Sequence, residues 1–262
     1  LAARGLGKLK PDPLAPVPGA FPSPVPISLK FDGDDTPCPV FAGRVVRGLK
    51  NGPSPKWLQD RLKAIGLRPI SALVDITNYL TFDRGRPLHV YDADKLTGTI
   101  SARLGMAGES LLALDGKTYS VDDSMCVIVD DAAVLGLGGV MGGETTGSTE
   151  ATTSVFIESA YFDPGRTART GRRLGINSDA RFRFERGVDP GFVVAGLELA
   201  TRLVLDLCGG EASDVVVAGK EPVVNKAIDF PLSEVKRLSG LDLPAETVTG
   251  TLEKLGFAVT GI

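Results

Sequence analysis

Residues 40–82 read VFAGRVVRGLKNGPSPKWLQDRLKAIGLRPISALVDITNYLTF, and the order of elements in this stretch decides the fold class. Val40 to Leu49 alternates as a strand does, and Asn51-Gly52 then reads as a turn. Ser54 suits a helix N-cap with Pro55 at the first helical position. Trp57, Leu58, Leu62 and Ile65 follow a helical stripe until Gly66 stops it, and Ser71 to Phe82 forms a second apolar helix. Further along, Glu109 to Val121 contains LLALDGKTYSV, a hairpin that turns at Asp115-Gly116. Met125 to Val129 and Ser154 to Ser159 read as buried strands, and Pro190 to Leu207 as a long helix closed by Gly209-Gly210. Strands and helices mix without a strict βαβ rhythm. That pattern predicts an α+β fold, a mixed sheet with flanking helices, rather than a doubly wound sheet.

The two flanks differ from this middle. Residues 1–39 hold nine of the 18 prolines, so they read as an extended tether behind a domain expected in front. At the other end Leu232, Val235 and Leu238 keep helical spacing until Gly240. Val248, Leu252 and Leu255 repeat it after Pro244, and GFAVTGI (256–262) should then be a strand. The expected division is a linker over 1–37, a central domain over 38–217, and a linker with an incomplete small module over 218–262.

The 262 residues are enough for a real core. Apolar residues make up 43% and charged ones 23%, which argues against disorder. A net charge of −3 excludes a wholly basic nucleic-acid binder but leaves room for a local basic patch. No apolar run is long enough for a membrane span, so no membrane partner is expected. Three scattered cysteines, no CxxC and one histidine nearly exclude a Cys/His zinc site and fit a reducing cytoplasm.

Four features stand out as candidate chemistry. LGLGGVMGG (135–143) places five glycines in positions 136–143, and bare backbone there is either a ligand-facing wall with an amide nest or a plain tight loop. His89 is the only imidazole, so it alone has an ordinary pKa suited to proton transfer near neutrality, although a lone histidine is more often structural. Glu158 sits inside VFIESA, where a carboxylate is costly unless it reads a hydroxyl or amine or pairs with a following arginine. Seven arginines crowd residues 166–186. They suit either RNA phosphates or a solvated face.

Taken together, VDITNYL (74–80), GRPLHVYD (85–92), LGLGGVMGG (135–143), IESAYFDP (157–164), RTGRRLGINSDARFRFERGVDP (169–190) and ATRLVLDLCGGEA (200–212) resemble the central part of the bacterial phenylalanyl-tRNA synthetase beta subunits. The resemblance runs from about Cys38 to Val217. It implies that residues 1–12 are the tail of a tRNA-binding-like region and that residues 226–262 begin a winged-helix-like domain.

For the middle, the resemblance implies a domain that edits tyrosine mischarged onto tRNA(Phe). Glu158 matches the residue that reads the tyrosine hydroxyl, and His89 the one that positions the ester and its water. Thr77 and Asn78 match polar lining of the same pocket, Gly138 and Gly139 its backbone wall, and Asp179 and Ala180 its rim. Arg169, Arg172 and Arg173 are the expected RNA contacts. Implied partners are tRNA(Phe) and the synthetase alpha subunit in an alpha2beta2 heterotetramer; ATP and Mg2+ are implied for the whole synthetase, with no metal or cofactor in this part. The rival class is a non-catalytic scaffold for tRNA or the alpha subunit. Two departures from the family pattern, Arg181-Phe182 and His89-Val90-Tyr91 in place of Ser-His and His-Ala-Phe, are expected to miss the important positions.

Overall fold

Two long strands, β2 (Val40–Arg47) and β10 (Ser154–Tyr161), lie antiparallel side by side, and both of their faces are buried. The chain must therefore cover them twice. The computed structural model describes residues 1–10, 14–33, 36–222 and 226–261, which split into two units, residues 14–222 and the two ends of the chain.

In the larger unit, β2 and β10 belong to an antiparallel sheet ordered β11 (Glu211–Ala212), β2, β10, β3 (His89–Asp92), with β12 (Val216–Gly219) also paired to β2. Val40, Ala42, Val46, Val155 and Ile157 point to one face and pack on the helix layer of α1 (Lys56–Ala64), α2 (Ala72–Asp83) and α5 (Val193–Cys208). Phe41, Val45, Tyr91 and Phe156 point to the other. There they meet a second sheet ordered β1 (Ile27–Lys30), β4 (Ile100–Leu104), β7 (Cys126–Val129), β8 (Val134–Leu137), β9 (Met141–Gly142). This sheet is mixed: β1 and β4 run parallel and the other pairs antiparallel. A hairpin of β5 (Ser110–Leu112) and β6 (Thr118–Ser120) adds Leu111 to a third apolar cluster, and α3 (Pro164–Leu174) and α4 (Asp179–Phe184) follow β10. The fold is α+β, as expected, with a second sheet that the sequence did not announce.

Three local expectations fail for physical reasons. Ser54 is not a cap: α1 starts at Lys56 with Pro55 at its N-cap, and the Ser54 hydroxyl donates to the buried Asp75 of α2. Asn51 does not turn the chain. Its amide donates to the Thr149 carbonyl at 2.8 Å and its oxygen accepts the Leu73 N–H at 3.3 Å, so it serves the start of α2 from a distance. Nor is the proline-rich stretch a free tether. Ile27–Lys30 is an edge strand, Val25 and Cys38 are buried, and Ala20 N–H bonds the Ala212 carbonyl at 2.8 Å. Proline content reports an extended backbone lacking donors, which is equally able to dock along a surface.

The smaller unit joins Leu1–Pro13 to Val223–Ile262. Its α6 (Ser233–Ser239) ends at Gly240 in the left-handed region, φ 75°, and α7 (Ala245–Lys254) starts after Pro244, as the spacing predicts. The expected strand does not form over residues 256–261, and Ile262 lies outside the described residues. A strand needs a neighbour for its N–H and C=O groups, and no strand is described elsewhere in this unit.

The larger unit is pinned by one charged side chain. Arg44, in the middle of β2, is fully buried and pairs with Glu198 of α5 at 3.0 Å. It also donates to the carbonyls of Ser213 (Nε, 2.9 Å) and Val17 (Nη1, 3.2 Å), while Val17 N–H reaches Glu198 Oε2 at 2.8 Å. Four segments thus converge on one guanidinium. Removing it strands a buried carboxylate and two carbonyls, so Arg44→Met should cost about 3–5 kcal/mol. Urea unfolding of the variant measures this, and a loss under about 1 kcal/mol would show that the convergence is not structural.

Candidate functional site

The space between the two sheets is not completely filled. An inner chamber of ≈ 70 Å³ lies beside His89, Tyr91, Glu158 and the hairpin from Gly136 to Gly142. On the scale where one water occupies about 10–15 Å³, it has room for more than one. An outer chamber of ≈ 460 Å³ lies beside Thr77, Asn78, Asp115, Ser148 and Asp179. His89, Met141, Gly142 and Ala180 line both.

Strand pairing brings the key side chains together. In the β3–β10 register Glu158 stands opposite His89 and Phe156 opposite Tyr91, so all four point to the inter-sheet face. The Tyr91 hydroxyl donates to Glu158 Oε2 at 2.6 Å. The His89 and Tyr91 rings meet edge to face, 4.4 Å between centroids. Burial pushes the Glu158 carboxyl up to about 7, against the smaller downward pull of the Tyr91 hydrogen bond. Burial likewise pushes the His89 imidazole down to about 4, so it is neutral at physiological pH. His89 is only partly exposed, and its Nε2 is sealed from solvent with no hydrogen-bond partner among the described residues. An orphaned buried nitrogen of this kind costs about 1–3 kcal/mol.

The glycine run is a tight loop that also walls a chamber. It forms the β8–β9 hairpin, turning at Gly138–Val140 with Gly139 at φ 72°, and its inner side walls the chamber. Gly142 is required by close approach: a Cβ there would come within 2.3 Å of His89 Cε1. The amide nest, however, is largely absent. Gly138 N–H bonds Cys126 O, Val140 N–H bonds Leu137 O and Gly143 N–H bonds Leu135 O, so these donors serve the hairpin.

The remaining expected residues divide. Ala180 lines both chambers and Asp179 the outer one, at the start of α4. Asn78 lines the outer chamber from α2 together with Thr77, whose hydroxyl is already donated to the Val74 carbonyl of its own helix at 2.8 Å. Arg169, Arg172 and Arg173 line neither chamber. Most of the arginine cluster bonds within the protein. Arg173 pairs with Asp122 at 2.6 Å, Arg166 donates to Ser124 O, Arg181 and Arg186 pair with Glu185, and Arg183 pairs with Asp179. Arg169 and Arg172 remain exposed.

Two residues that the sequence reading passed over belong to the site. Tyr91, one of the two departures expected to be neutral, touches Glu158 directly. Its position two residues after His89 in a strand was the available signal, because i and i+2 share a face. Ser178 caps α4 and donates its hydroxyl to the Val140 carbonyl at 2.5 Å, tying the helix that carries Ala180 to the glycine hairpin. Among the described residues, no three His, Cys, Asp or Glu side chains gather as metal ligands.

The B3/4 domain family matches residues 37–209. Along its whole length the chain is similar to phenylalanine–tRNA ligase beta subunits. It is 57% identical to that of Cereibacter sphaeroides over 261 residues, which is 100% of this chain and 32% of the relative. The Rhodopseudomonas palustris subunit is also 57% identical over 261 residues, again 100% of this chain and 32% of the relative. The Paramagnetospirillum magneticum subunit is 58% identical over 260 residues, 99% of this chain and 33% of the relative. The chain therefore spans about a third of the length of the curated relatives it matches.

The two shifted groups load stability with opposite signs. A carboxyl raised to about 7 makes the folded state bind its proton more tightly, so stability is lost as pH rises from about 4.5 to 7. An imidazole lowered to about 4 binds its proton more weakly when folded, so stability is lost as pH falls from about 6.5 to 4. Each effect saturates near about 3 kcal/mol. Glu158→Gln should therefore gain on the parent protein as pH climbs from about 4.5 to 7 and stay level above that. Melting curves of both proteins at pH 4.5 and 7.5 read the difference; an equal gap at the two values would show that Glu158 ionises normally.

Proposed function

The chain belongs to the B3/4 domain family, and from that premise we propose that it is part of a phenylalanine–tRNA ligase beta subunit whose task here is to hydrolyse tyrosine from tRNA(Phe). One observation carries the reading. A buried carboxylate, Glu158, lies beside a chamber and already accepts the hydroxyl of a tyrosine side chain, Tyr91, at 2.6 Å. A site with that chemistry is suited to telling tyrosine from phenylalanine.

The need for such a site follows from how little one hydroxyl does elsewhere. An apolar pocket built for phenylalanine rejects an added hydroxyl by only about 10². A second pocket that depends on the hydroxyl separates the two far better, because the carboxylate oxygen that Tyr91 leaves free stays unfilled when phenylalanine enters. In this reading the inner chamber, at ≈ 70 Å³ smaller than the ~150 Å³ of a cavity that holds a benzene ring, widens as the tyrosine ring enters with its hydroxyl toward Glu158. The 3′-terminal adenosine occupies the outer chamber, beside Asn78, Thr77 and Asp179, with Ala180 at the rim and Gly138 and Gly139 as the wall.

The reaction itself is ester hydrolysis. Water attacks the ester carbonyl, the tetrahedral intermediate collapses, and the ribose oxygen leaves with a proton, releasing tyrosine and tRNA(Phe). His89, neutral and with Nε2 unpartnered among the described residues, serves, once the chamber widens to admit the ester, as a hydrogen-bonding group that orients the ester or its water. An imidazole lowered to about 4 is a weak general base. Charging of tRNA(Phe) by the whole synthetase, its ATP and Mg2+, its alpha subunit, the alpha2beta2 assembly and the cytoplasmic setting belong to the same proposal.

Deacylation of Tyr-tRNA(Phe) and Phe-tRNA(Phe) tests it. The chain should favour the tyrosyl ester, and Glu158→Ala should abolish the preference while the protein stays folded. His89→Ala should slow hydrolysis about 10-fold, the scale of one hydrogen bond, and leave the pH midpoint of the tyrosyl reaction in place. A midpoint that disappears with His89 would make it the general base. Equal rates for both esters, each matching the uncatalysed rate, would leave the scaffold reading.

Arg169 and Arg172 generate a separate expectation. Each phosphate contact contributes about 0.7–0.9 to the slope of log affinity against log salt. Replacing both by alanine should lower the slope of tRNA binding by about 1.4–1.8. The Arg166→Ala and Arg181→Ala changes, at side chains that bond within the protein, should leave it unaltered. A double variant with the parent slope would remove the exposed pair from the RNA interface.

A further inference from the structure

Resting on the reading of Glu158 as the group that recognises a tyrosine hydroxyl, we propose that Tyr91 is a specificity-determining positioning residue: its hydroxyl holds one carboxylate oxygen so that the other is presented to the ligand. The Tyr91 ring is 1% exposed and has little freedom. The His89 ring meets it edge to face at 4.4 Å, and Phe156 lies at 6.2 Å on the neighbouring strand. Its hydroxyl therefore meets Glu158 Oε2 at 2.6 Å by construction of the strand pair.

A carboxylate has two oxygens and about four acceptor sites. Engaging Oε2 fixes the rotamer and removes half of the ways in which the carboxylate can turn. A ligand phenol then finds Oε1 already oriented and meets a second hydroxyl on the same carboxylate as its neighbour. The arrangement acts only through Glu158, so Tyr91 is not a catalytic residue. It also favours the ionised carboxylate, since the Tyr91 hydrogen bond opposes the upward push of burial.

The groups that face Glu158 are few. His89 and Tyr91 come from β3, and Cys38, just before β2, interacts with it electrostatically. Among the described residues lining the inner chamber there is no Lys, Arg or Asp. Burial pushes the Cys38 thiol well up, and His89 titrates near 4, so neither changes charge between pH 6 and 8. A midpoint near 7, if the tyrosyl reaction has one, is therefore expected to report Glu158.

The test compares the chain with Tyr91→Phe and Glu158→Ala in hydrolysis of Tyr-tRNA(Phe) and Phe-tRNA(Phe) from pH 6 to 9. Tyr91→Phe should lower the preference for the tyrosyl ester about tenfold, the scale of one hydrogen bond, and move the midpoint above that of the parent. Restoring the rate at higher pH distinguishes positioning from mere damage to the fold. An unchanged preference and midpoint, with Glu158→Ala still abolishing the preference, overturns the role of Tyr91 and leaves the editing reading standing. A higher preference shows that Tyr91 competes with the ligand and also overturns it. Absence of any preference in the parent protein removes the editing reading and with it this role. If Tyr91→Phe does not fold, carbon-13 resonances of the parent decide. Tyr91 Cζ should titrate in step with Glu158 Cδ, and a Tyr91 signal that stays flat through that step overturns the proposal.

Discussion

Strand β10 is buried on both faces, so every polar group on it has to be met from inside the protein. On the helix side, the Ser159 hydroxyl donates to the Val193 carbonyl of α5 at 2.8 Å. At the strand's end, the Ala160 carbonyl takes Arg86 Nη1 at 2.8 Å, a second fully buried arginine. On the sheet side, Glu158 receives Tyr91. The first two meet partners that satisfy them, although Arg86 itself keeps a buried Nε without a partner among the described residues. Glu158 does not, because one phenol leaves a carboxylate with unfilled acceptor sites next to a chamber. The strand's polar demand is left incomplete at Glu158, and the two-sheet architecture places that gap beside a chamber.

How much of this was legible follows from the range of each signal. Helices α1, α2 and α5 were readable because apolar spacing is local and packing on the sheet agrees with it. The boundaries at Ser54 and Asn51 were not, since both side chains bond partners 21 and 22 or more residues away along the chain. The same holds for the proline-rich stretch. Its extended form was legible, but its docking depends on Arg44 and Glu198, which no local pattern connects to it. For the site, Glu158 and His89 could each be singled out as unusual residues, yet their pairing is a matter of strand register. Register is fixed by the burial of both faces, which is a property of the assembled sheets.

Those same two groups weigh on the fold. A carboxyl raised by burial and an imidazole lowered by it are both destabilising in the pH range where they would prefer to be charged. Neither is relieved by a partner of opposite charge, and Nε2 of His89 has no hydrogen bond at all among the described residues. A core that served only stability would replace both with apolar side chains of similar size. Two groups perturbed in this way beside one chamber mark it as a candidate site.

The arginine-rich segment takes on a different meaning in this light. Arg181 bonds Glu185 at 2.9 Å and donates to the Ile176 carbonyl, and its side chain lies so close to Gly171 that a Cβ there would come within 2.3 Å. It thereby locks α4 against α3. Ser178, three residues earlier, locks the start of α4 to the glycine hairpin through Val140. Ala180 sits between these two anchors and lines both chambers. The two anchors hold the backbone on either side of this small residue. The charge density that first reads as a nucleic-acid surface is, at Arg181, a tie between α4 and α3 beside the chambers, while Arg169 and Arg172 stay exposed on α3.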